Sequence, residues 1–206
     1  MNEKELNTEQ LILEAAQAEF FEKGYAGAKT VSIARRAGIS HSMLHYYFRT
    51  KENLFQRIFA QKIQTLTQIF TGIYEQHLSF EELLRKFIEA QFNFAAQNPQ
   101  LPHFVMNEIL SNRNNRKLVF DVFAPKMSVI FDNLERMLNI EIEAGRIRPI
   151  TLIHLVMNVV AMNVFIFVAM PLLEEILPLQ EPAVREKILD ERRESNVQFV
   201  LNALRA

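Results

Sequence analysis

The strongest constraint on the fold of this chain is Gly38, which separates two short apolar patterns of helical spacing. Ile33, Ala34 and Ala37 share one face of a short helix, and the small Ala34 lets a second helix cross closely. Gly38 can adopt the positive φ angle that a tight turn requires. Ser40 stands where the next helix begins, and its hydroxyl can accept a hydrogen bond from the first turn. The pattern predicts a helix-turn-helix, with two steeply crossed helices around a short turn.

The second helix of this motif is expected to face outward with polar side chains. Leu44 and Phe48 should hold it inward, and four side chains that can hydrogen-bond should point away from the core: His41, Ser42, His45 and Tyr46. Side chains at the N-terminal end of such a helix can reach base edges in the major groove of DNA. The motif therefore predicts a nucleic-acid-reading helix.

Two positions beside this helix suit phosphate groups. Thr50 should cap the following helix, and Lys51 lies in its first turn. A helix N-terminus together with a lysine favours a phosphate. Thr30, at the start of the first helix of the motif, could bind a phosphate in the same way.

The rest of the chain also favours helix, because glycine and proline are sparse and apolar residues recur at spacings of three and four. No stretch alternates in the manner of a β-strand. The sequence therefore predicts an all-α fold with an N-terminal three-helix head over residues 7–65, in which the helix-turn-helix covers about residues 30–48. A larger C-terminal helical domain should follow over residues 66–206.

Two prolines should limit the helices of the larger domain. Pro125 lies inside a helix predicted over residues 115–144 and should kink or split it. Pro171 is expected to mark the end of a helix predicted over residues 151–170.

The distribution of charge suggests a phosphate-binding face. The whole chain carries a net charge of -1, yet residues 23–62 contain eight lysines and arginines and a single acid, Glu52. This segment is therefore +7, and the remainder of the chain about −8. Such a block is typical of a surface that meets nucleic acid, although a solvated helical surface would have the same composition.

Composition and motifs exclude several functional classes. The chain has no cysteine, which excludes disulfides and thiolate metal sites and fits a reducing cytoplasm. Its first ten residues are polar and of mixed charge, unlike a signal peptide. The H-E-x-x-H, P-loop, G-x-S-x-G and dinucleotide glycine motifs are absent, so we expect neither an enzyme nor a cofactor. His41 and His45 stand four apart and could in principle bind a metal. We expect no metal site, because no cysteine or carboxylate lies near them in sequence.

Residues 12–55 resemble the DNA-binding head of the TetR family of bacterial regulators. The resemblance covers about a quarter of the chain. It is carried by Ala15-Ala16, Phe20, Gly24-Tyr25, Ile33-Ala34, Ala37-Gly38-Ile39-Ser40, Leu44, Tyr46-Tyr47-Phe48, Lys51-Glu52 and Leu54-Phe55. It implies a cytoplasmic homodimer that binds a near-palindromic operator in double-stranded DNA, usually as a repressor. It also implies release by a small-molecule effector bound in the C-terminal domain.

The resemblance also implies roles for individual residues of the head. Phosphate-contacting positions of the family are matched by Thr30, Tyr46, Tyr47 and Lys51, and base-facing positions by His41, Ser42 and His45; Ser40, which caps the reading helix, completes the DNA-binding set. Ser42 stands where the family often has glycine, and His45 where tyrosine is usual. Both departures put the operator sequence in doubt without breaking the fold. Two of these roles have an alternative. Tyr47 could instead pack within the motif, and His45 could be a surface histidine that contacts no base.

The C-terminal domain is rich in phenylalanine and methionine, with a few polar groups among them. Such a composition describes a small-molecule pocket and an ordinary helical core equally well. The candidate ligand-binding residues are Phe104, Asn107, Phe123, Phe131, His154, Asn158, Met162 and Phe165. We expect a mostly apolar effector with a polar handle near Asn158 or His154.

Residues 152–173 form a long apolar run that approaches the length of a membrane span. His154, Asn158 and Asn163 interrupt it, and polar side chains in lipid are costly. We therefore expect no membrane span, but a helix buried in a core and a subunit interface. The helices predicted over residues 151–170 and 182–204 would form a four-helix bundle across a two-fold axis.

Two other functional classes remain open at this point. A partner-binding adaptor could keep a DNA-binding shape, and a helical enzyme could act on an apolar substrate in the C-terminal domain. Saturable, sequence-selective DNA binding would favour a regulator, and turnover of a bound compound would be needed for the enzyme.

Overall fold

The computed structural model describes residues 3–109, 113–176 and 181–206. In this part of the chain nine α-helices form and no strand does, which confirms the all-α prediction. The helices are α1 (Glu3–Gly27), α2 (Thr30–Arg36), α3 (His41–Phe48), α4 (Lys51–Tyr74), α5 (Phe80–Gln97), α6 (Leu101–Phe104), α7 (Arg113–Glu143), α8 (Leu152–Ile176) and α9 (Pro182–Leu204). A π-helical turn, Val105–Ile109, follows α6.

The helices belong to two compact units. The first unit, called the head below, comprises residues 1–65 and 104–123, and the second, called the body, comprises residues 66–103 and 124–206. The segment from residue 104 onward therefore joins the first 65 residues, although its place in the sequence assigned it to the larger domain. Helices α4 and α7 each contribute to both units.

An aromatic cluster forms the centre of the head. The rings of Phe20 and Phe55 meet edge to face at 5.5 Å, and Tyr25 contacts both. The ring of Phe104 lies 5.4 Å from that of Phe55 and 5.5 Å from that of Phe59. Burial of each such ring contributes roughly 1.5–3 kcal/mol. This cluster explains why the segment from Phe104 onward belongs to the head.

The body is organised around α5, which packs against both α8 and α9. One apolar cluster brings together Leu84, Ile88, Leu138, Leu155 and Val197 from four helices. A second cluster surrounds Phe92 and Phe167, whose rings lie 5.3 Å apart. α5 begins with a capping box, in which the side chains of Ser79 and Glu82 satisfy each other's backbone N–H groups.

Two buried asparagines cross-link this core. Asn163 and Asn196 are both fully buried. The Asn163 amide donates to the Ile88 carbonyl at 2.9 Å and to the Gln91 side-chain oxygen at 2.8 Å. The Asn196 amide donates to the Met162 carbonyl and to the side-chain oxygen of Asn163. Buried polar groups need such partners, so these contacts fix α5, α8 and α9 in one register.

Both prolines that were expected to limit helices lie inside continuous ones. α7 runs through Pro125 without a split. α8 continues through Pro171 to Ile176, so the predicted end at residue 170 is wrong. An interior proline costs about 3 kcal/mol. Met170 and Leu173, which flank Pro171, both pack against the Phe92 cluster and offset that cost.

Candidate nucleic-acid interface

The turn between α2 and α3 has the geometry that the sequence predicts. Gly38 adopts a φ of 69°, and the N–H of Ile39 closes the turn on the Ala34 carbonyl at 3.0 Å. Ser40 caps α3, because its hydroxyl accepts from the N–H of Met43 at 3.2 Å. A second predicted cap is also present, where the Thr50 hydroxyl accepts from the N–H of Asn53 at the start of α4. These contacts confirm the helix-turn-helix.

α3 is held by one face and presents the other to solvent. Leu44 and Phe48 are buried. His41, Ser42 and His45 are exposed, and Tyr46 is 79% exposed. Tyr47 is half-buried, and its ring meets that of Tyr46 edge to face at 5.5 Å. The outward residues predicted for DNA contact therefore share one surface.

A chain of hydrogen-bonding groups connects the two histidines of α3 to their surroundings. The Thr30 hydroxyl lies 3.0 Å from Nε2 of His41, which lies 3.1 Å from Nε2 of His45. Nδ1 of His45 lies 3.0 Å from the Arg49 carbonyl oxygen. A carbonyl only accepts, so Nδ1 of His45 carries the proton. The spacing of the histidines is visible in the sequence, but their alignment with Thr30 and Arg49 is not.

Lys51 is engaged within the head. Its ammonium donates to the Tyr25 carbonyl at 2.8 Å and to the Ala28 carbonyl at 3.1 Å. It also lies 4.6 Å from the centre of the Tyr25 ring. An ammonium has three N–H donors, so one donor remains for a phosphate. The sequence did not predict this tether between the end of α1 and the start of α4.

The acids of α1 neutralise part of the basic segment. Glu19 is 1% exposed and accepts from Lys23 at 2.8 Å, with the Arg36 guanidinium 3.5 Å away. Arg36 also pairs with Glu22 at 2.7 Å. The Lys23 ammonium is the main cause that lowers the pKa of Glu19. Over residues 3–65, nine basic and seven acidic residues leave a charge of only +2. Lys29, Arg35 and Arg49, which lie within or beside the helix-turn-helix in sequence, are exposed.

The candidate ligand-binding residues are divided between the head and the body. Phe104 is buried in the aromatic cluster of the head, where its ring fills the space between α1 and α4. Asn107 is exposed. The side chain of Phe123 lies outside the described residues. Phe104 is therefore a core residue of the head, instead of a residue that lines a pocket in the body.

The remaining candidates belong to the body. His154, Asn158 and Phe165 are exposed on α8, whereas Phe131 and Met162 are half-buried. Asn158 and Met162 share an open cavity of about 380 Å³ between α8 and α9. Its wall also includes Arg148, Leu155 and Phe199.

The outer face of α8 is strongly apolar. Six large apolar side chains of α8 are more than a third exposed: Ile153, Met157, Val160, Phe165, Leu172 and Ile176. Phe199 of α9 is 64% exposed. By length and composition, α8 could cross a membrane, and only 22% of its most apolar stretch is buried within a single chain. Val197, Val200 and Leu204 of α9, a helix that we expected in the bundle between subunits, pack into the core of their own body.

Comparisons with known families agree with this architecture. A model described as "Bacterial regulatory proteins, tetR family" matches residues 12–58. A second one, described as "Tetracyclin repressor-like, C-terminal domain", matches residues 81–200, more than half of the chain.

Known proteins resemble the chain in sequence and in fold. The HTH-type transcriptional regulator RutR of Escherichia coli strain K12 is 23% identical over 145 residues, which span 70% of this chain and 66% of RutR, just under two thirds of that relative. The regulator PfmR of Thermus thermophilus superposes with a TM-score of 0.69 at 21% identity, over 95% of this chain and 99% of PfmR. FadR of Bacillus subtilis, in complex with stearoyl-CoA, has a TM-score of 0.69 at 17% identity, over 95% and 98% of the two chains. At these identities the solved structures show a shared fold.

Proposed function

This chain belongs to the TetR family of bacterial regulatory proteins, and we propose that, as a DNA-binding transcriptional regulator of that family, it represses transcription by binding a near-palindromic operator as a homodimer. A small, mostly apolar effector bound in the body would release it. This regulator would act in the cytoplasm, where bacterial DNA lies. Because the family comprises transcriptional regulators, we do not propose an enzymatic role.

The observation that carries this proposal is the outward presentation of α3. A helix that is anchored by Leu44 and Phe48 and exposes His41, Ser42 and His45 at its N-terminal end can enter a major groove. Imidazole and hydroxyl groups can bond to base edges, which carry sequence information. Thr30, Tyr46, Tyr47 and the third donor of Lys51 would contact phosphates, which set the position of the helix.

Two experiments test this proposal. Fragments that the protein binds are first selected from genomic DNA, and the affinities for a selected fragment and a scrambled one are then measured at several salt concentrations. His45→Ala should reduce discrimination between the two fragments by about 1–3 kcal/mol if the imidazole reads a base. His77→Asn, which removes an exposed imidazole outside the predicted interface, is the matched control. Equal loss on both fragments would mean that His45 only positions the protein. Failure to enrich any sequence would contradict the regulator itself.

The apolar outer face of α8 supports the homodimer. Large exposed apolar patches on a soluble chain indicate an interface. A two-fold axis would bring this face against its own copy and place two α3 helices on successive turns of DNA. Burial of this face against a second copy of the chain would also explain why α8 is so apolar in a protein that does not span a membrane.

Light scattering in detergent-free buffer tests the dimer. Met157→Glu, which places a charge on the outer face of α8, should shift the protein toward monomer, because burial of an unpaired charge is strongly unfavourable. Ile140→Glu on α7 is the matched control, since both side chains are 59% exposed in the single chain. A wild-type protein that stays monomeric, or a Met157→Glu variant that dimerises as well as the control, would contradict this interface.

The apolar effector is supported by the composition of the body and by the stearoyl-CoA bound to the structurally similar FadR of B. subtilis. Among the predicted ligand residues, Asn158 and Met162 share a cavity, and Asn158 would supply a polar handle. Thermal-shift screening tests this expectation, because a ligand at a hundred times its Kd stabilises the folded state by about 2.7 kcal/mol. Fatty acids and acyl-CoAs should raise the Tm. A screen in which only charged metabolites without a long acyl chain raise the Tm would reject an apolar effector.

A further inference from the structure

We propose that the outer face of α3 binds a divalent transition-metal ion, chelated by His41 and His45. The sequence led us to expect no metal there, because no cysteine or carboxylate lies near them, but the fold brings their ring nitrogens together. Residues four apart on a helix lie on the same face. Here the Nε2 atoms of the two imidazoles lie 3.1 Å apart, and the planes of the rings are nearly perpendicular. Both side chains are exposed, so an ion can reach them from solvent.

The distance between the two nitrogens fits a chelate. Zinc binds imidazole nitrogen at about 2.0–2.1 Å. Two nitrogens at about 2.05 Å from one ion are about 2.9 Å apart at an angle of 90° and about 3.3 Å apart at a tetrahedral angle. The observed 3.1 Å lies between the square-planar or octahedral value and the tetrahedral one. With both lone pairs turned toward the ion, this spacing suits Cu²⁺, Ni²⁺ or Zn²⁺.

The hydrogen bond to Arg49 prepares His45 as a ligand. Because Nδ1 of His45 donates to the Arg49 carbonyl, Nε2 keeps its lone pair and faces His41. A metal-binding histidine commonly donates its other nitrogen to a carbonyl, which fixes both tautomer and orientation. His41 can place its proton on Nδ1, where water accepts it, and turn the lone pair of Nε2 to the ion.

The surroundings define an open site of moderate strength. Thr30 supplies a neutral oxygen 3.0 Å from Nε2 of His41, and water would complete the coordination. In residues 3–109, 113–176 and 181–206, no group of three or more histidines, cysteines or acids could hold a metal. Two nitrogen ligands favour borderline ions over Mg²⁺ and Ca²⁺, which prefer oxygen. Arg49, whose carbonyl contacts His45, carries a positive charge that opposes a cation and weakens the site.

Occupation of this site would compete with DNA. The same Nε2 atoms face the bases in the proposed complex, and a bound ion removes their lone pairs from hydrogen bonding. This consequence rests on the proposed function, whereas the metal site itself rests only on the geometry of the head.

Calorimetric titration of the untagged, full-length protein with NiCl₂ tests the site in the absence of DNA. We expect one Ni²⁺ per chain, and His41→Ala or His45→Ala should each lower the affinity roughly tenfold or more. His77→Asn should bind as the wild type does, and circular dichroism verifies that each variant is folded. A wild-type Kd weaker than about 1 mM, or wild-type affinity in the His41→Ala/His45→Ala double variant, would overturn the proposal.

A second measurement separates the site from its consequence. Ni²⁺ should lower the affinity of the wild type for a selected DNA fragment at least tenfold. The affinity of His41→Ala for the same fragment should be almost the same with and without Ni²⁺. If calorimetry detects the ion but DNA binding does not respond, the metal site stands and the competition is wrong. If no DNA sequence can be selected at all, the regulator proposal fails, and the calorimetric result still decides the metal site.

Discussion

Replacement of Lys51 by alanine should have two separable effects, on stability and on DNA binding. The ammonium of Lys51 bonds to the carbonyls of Tyr25 and Ala28 and lies over the Tyr25 ring. A hydrogen bond to a charged group is worth about 1.5–3 kcal/mol. Because both bonds end on one ammonium, their loss is not additive, and we expect Lys51→Ala to lower the free energy of unfolding by about 2–4 kcal/mol.

The effect on DNA is a change in salt dependence. Each phosphate contact contributes about 0.9 to the slope of log K against log salt. A homodimer carries two copies of Lys51, so the slope should become shallower by about 1.8 if the third N–H of each ammonium binds a phosphate. Binding to specific and scrambled fragments should weaken to a similar extent, because a phosphate carries no sequence information.

Urea unfolding followed by circular dichroism measures the first effect, and fluorescence anisotropy with a labelled fragment at a series of KCl concentrations measures the second. Lys187→Ala is the matched control, since this lysine is 75% exposed and lies in the body. An unchanged salt slope would remove Lys51 from the phosphate contacts and leave it as a structural tether. An unchanged stability would refute the tether.

Three further predictions concern the fold. Glu19→Gln should lower the free energy of unfolding by about 1–3 kcal/mol at pH 7. Because Lys23 lowers the pKa of Glu19 in the folded state, the stability that the carboxylate contributes is present above the unfolded pKa of about 4.3 and is lost as the pH falls through the folded pKa. Urea unfolding should therefore show the stabilities of the variant and the wild type converging below about pH 4, and a difference that stays constant with pH would contradict this. Gly38→Ala should cost about 1–2 kcal/mol, since φ is +69° and an added Cβ meets no atom within 4 Å; an unchanged Tm would show that the turn tolerates a side chain. Asn163→Leu should cost about 1–3 kcal/mol, because Asn196 and Gln91 lose a partner; thermal unfolding without a loss would mean that the buried amides do not fix the helices.

The local chemistry of the helix-turn-helix could be predicted because its determinants are adjacent in sequence. Gly38, Ser40 and Thr50 each act within three residues of their own position. Glycine at a positive φ and a hydroxyl at an N-cap are constraints that a sequence states directly. The same reasoning failed at Pro171, because packing of Met170 and Leu173 on residues some 75 positions earlier outweighs the local preference of proline.

The contacts made by the interface could not be predicted, because they join residues far apart in sequence. The bond from Lys51 to Tyr25 spans 26 positions, and that between Thr30 and His41 spans 11. A spacing of four places two histidines on one face, but only the fold shows that a carbonyl orients one of them. Phe104 illustrates the same limit: an aromatic residue in an apolar segment fits a pocket or a core, and its ring contacts with Phe55 and Phe59 decide for the core.

The charge pattern shows why position matters more than count. The basic block of residues 23–62 suggested a strongly positive face, yet acids of α1 pair with Lys23 and Arg36. Residues 3–65 carry a net charge of only +2, so the electrostatic attraction to DNA should be modest and the salt slope correspondingly small. The affinity for DNA must then depend more on the two heads of a dimer than on charge. Once one head is bound, the linkage raises the effective concentration of the other head at the DNA. A variant that loses the α8 interface should therefore lose more affinity than one that loses any single surface cation.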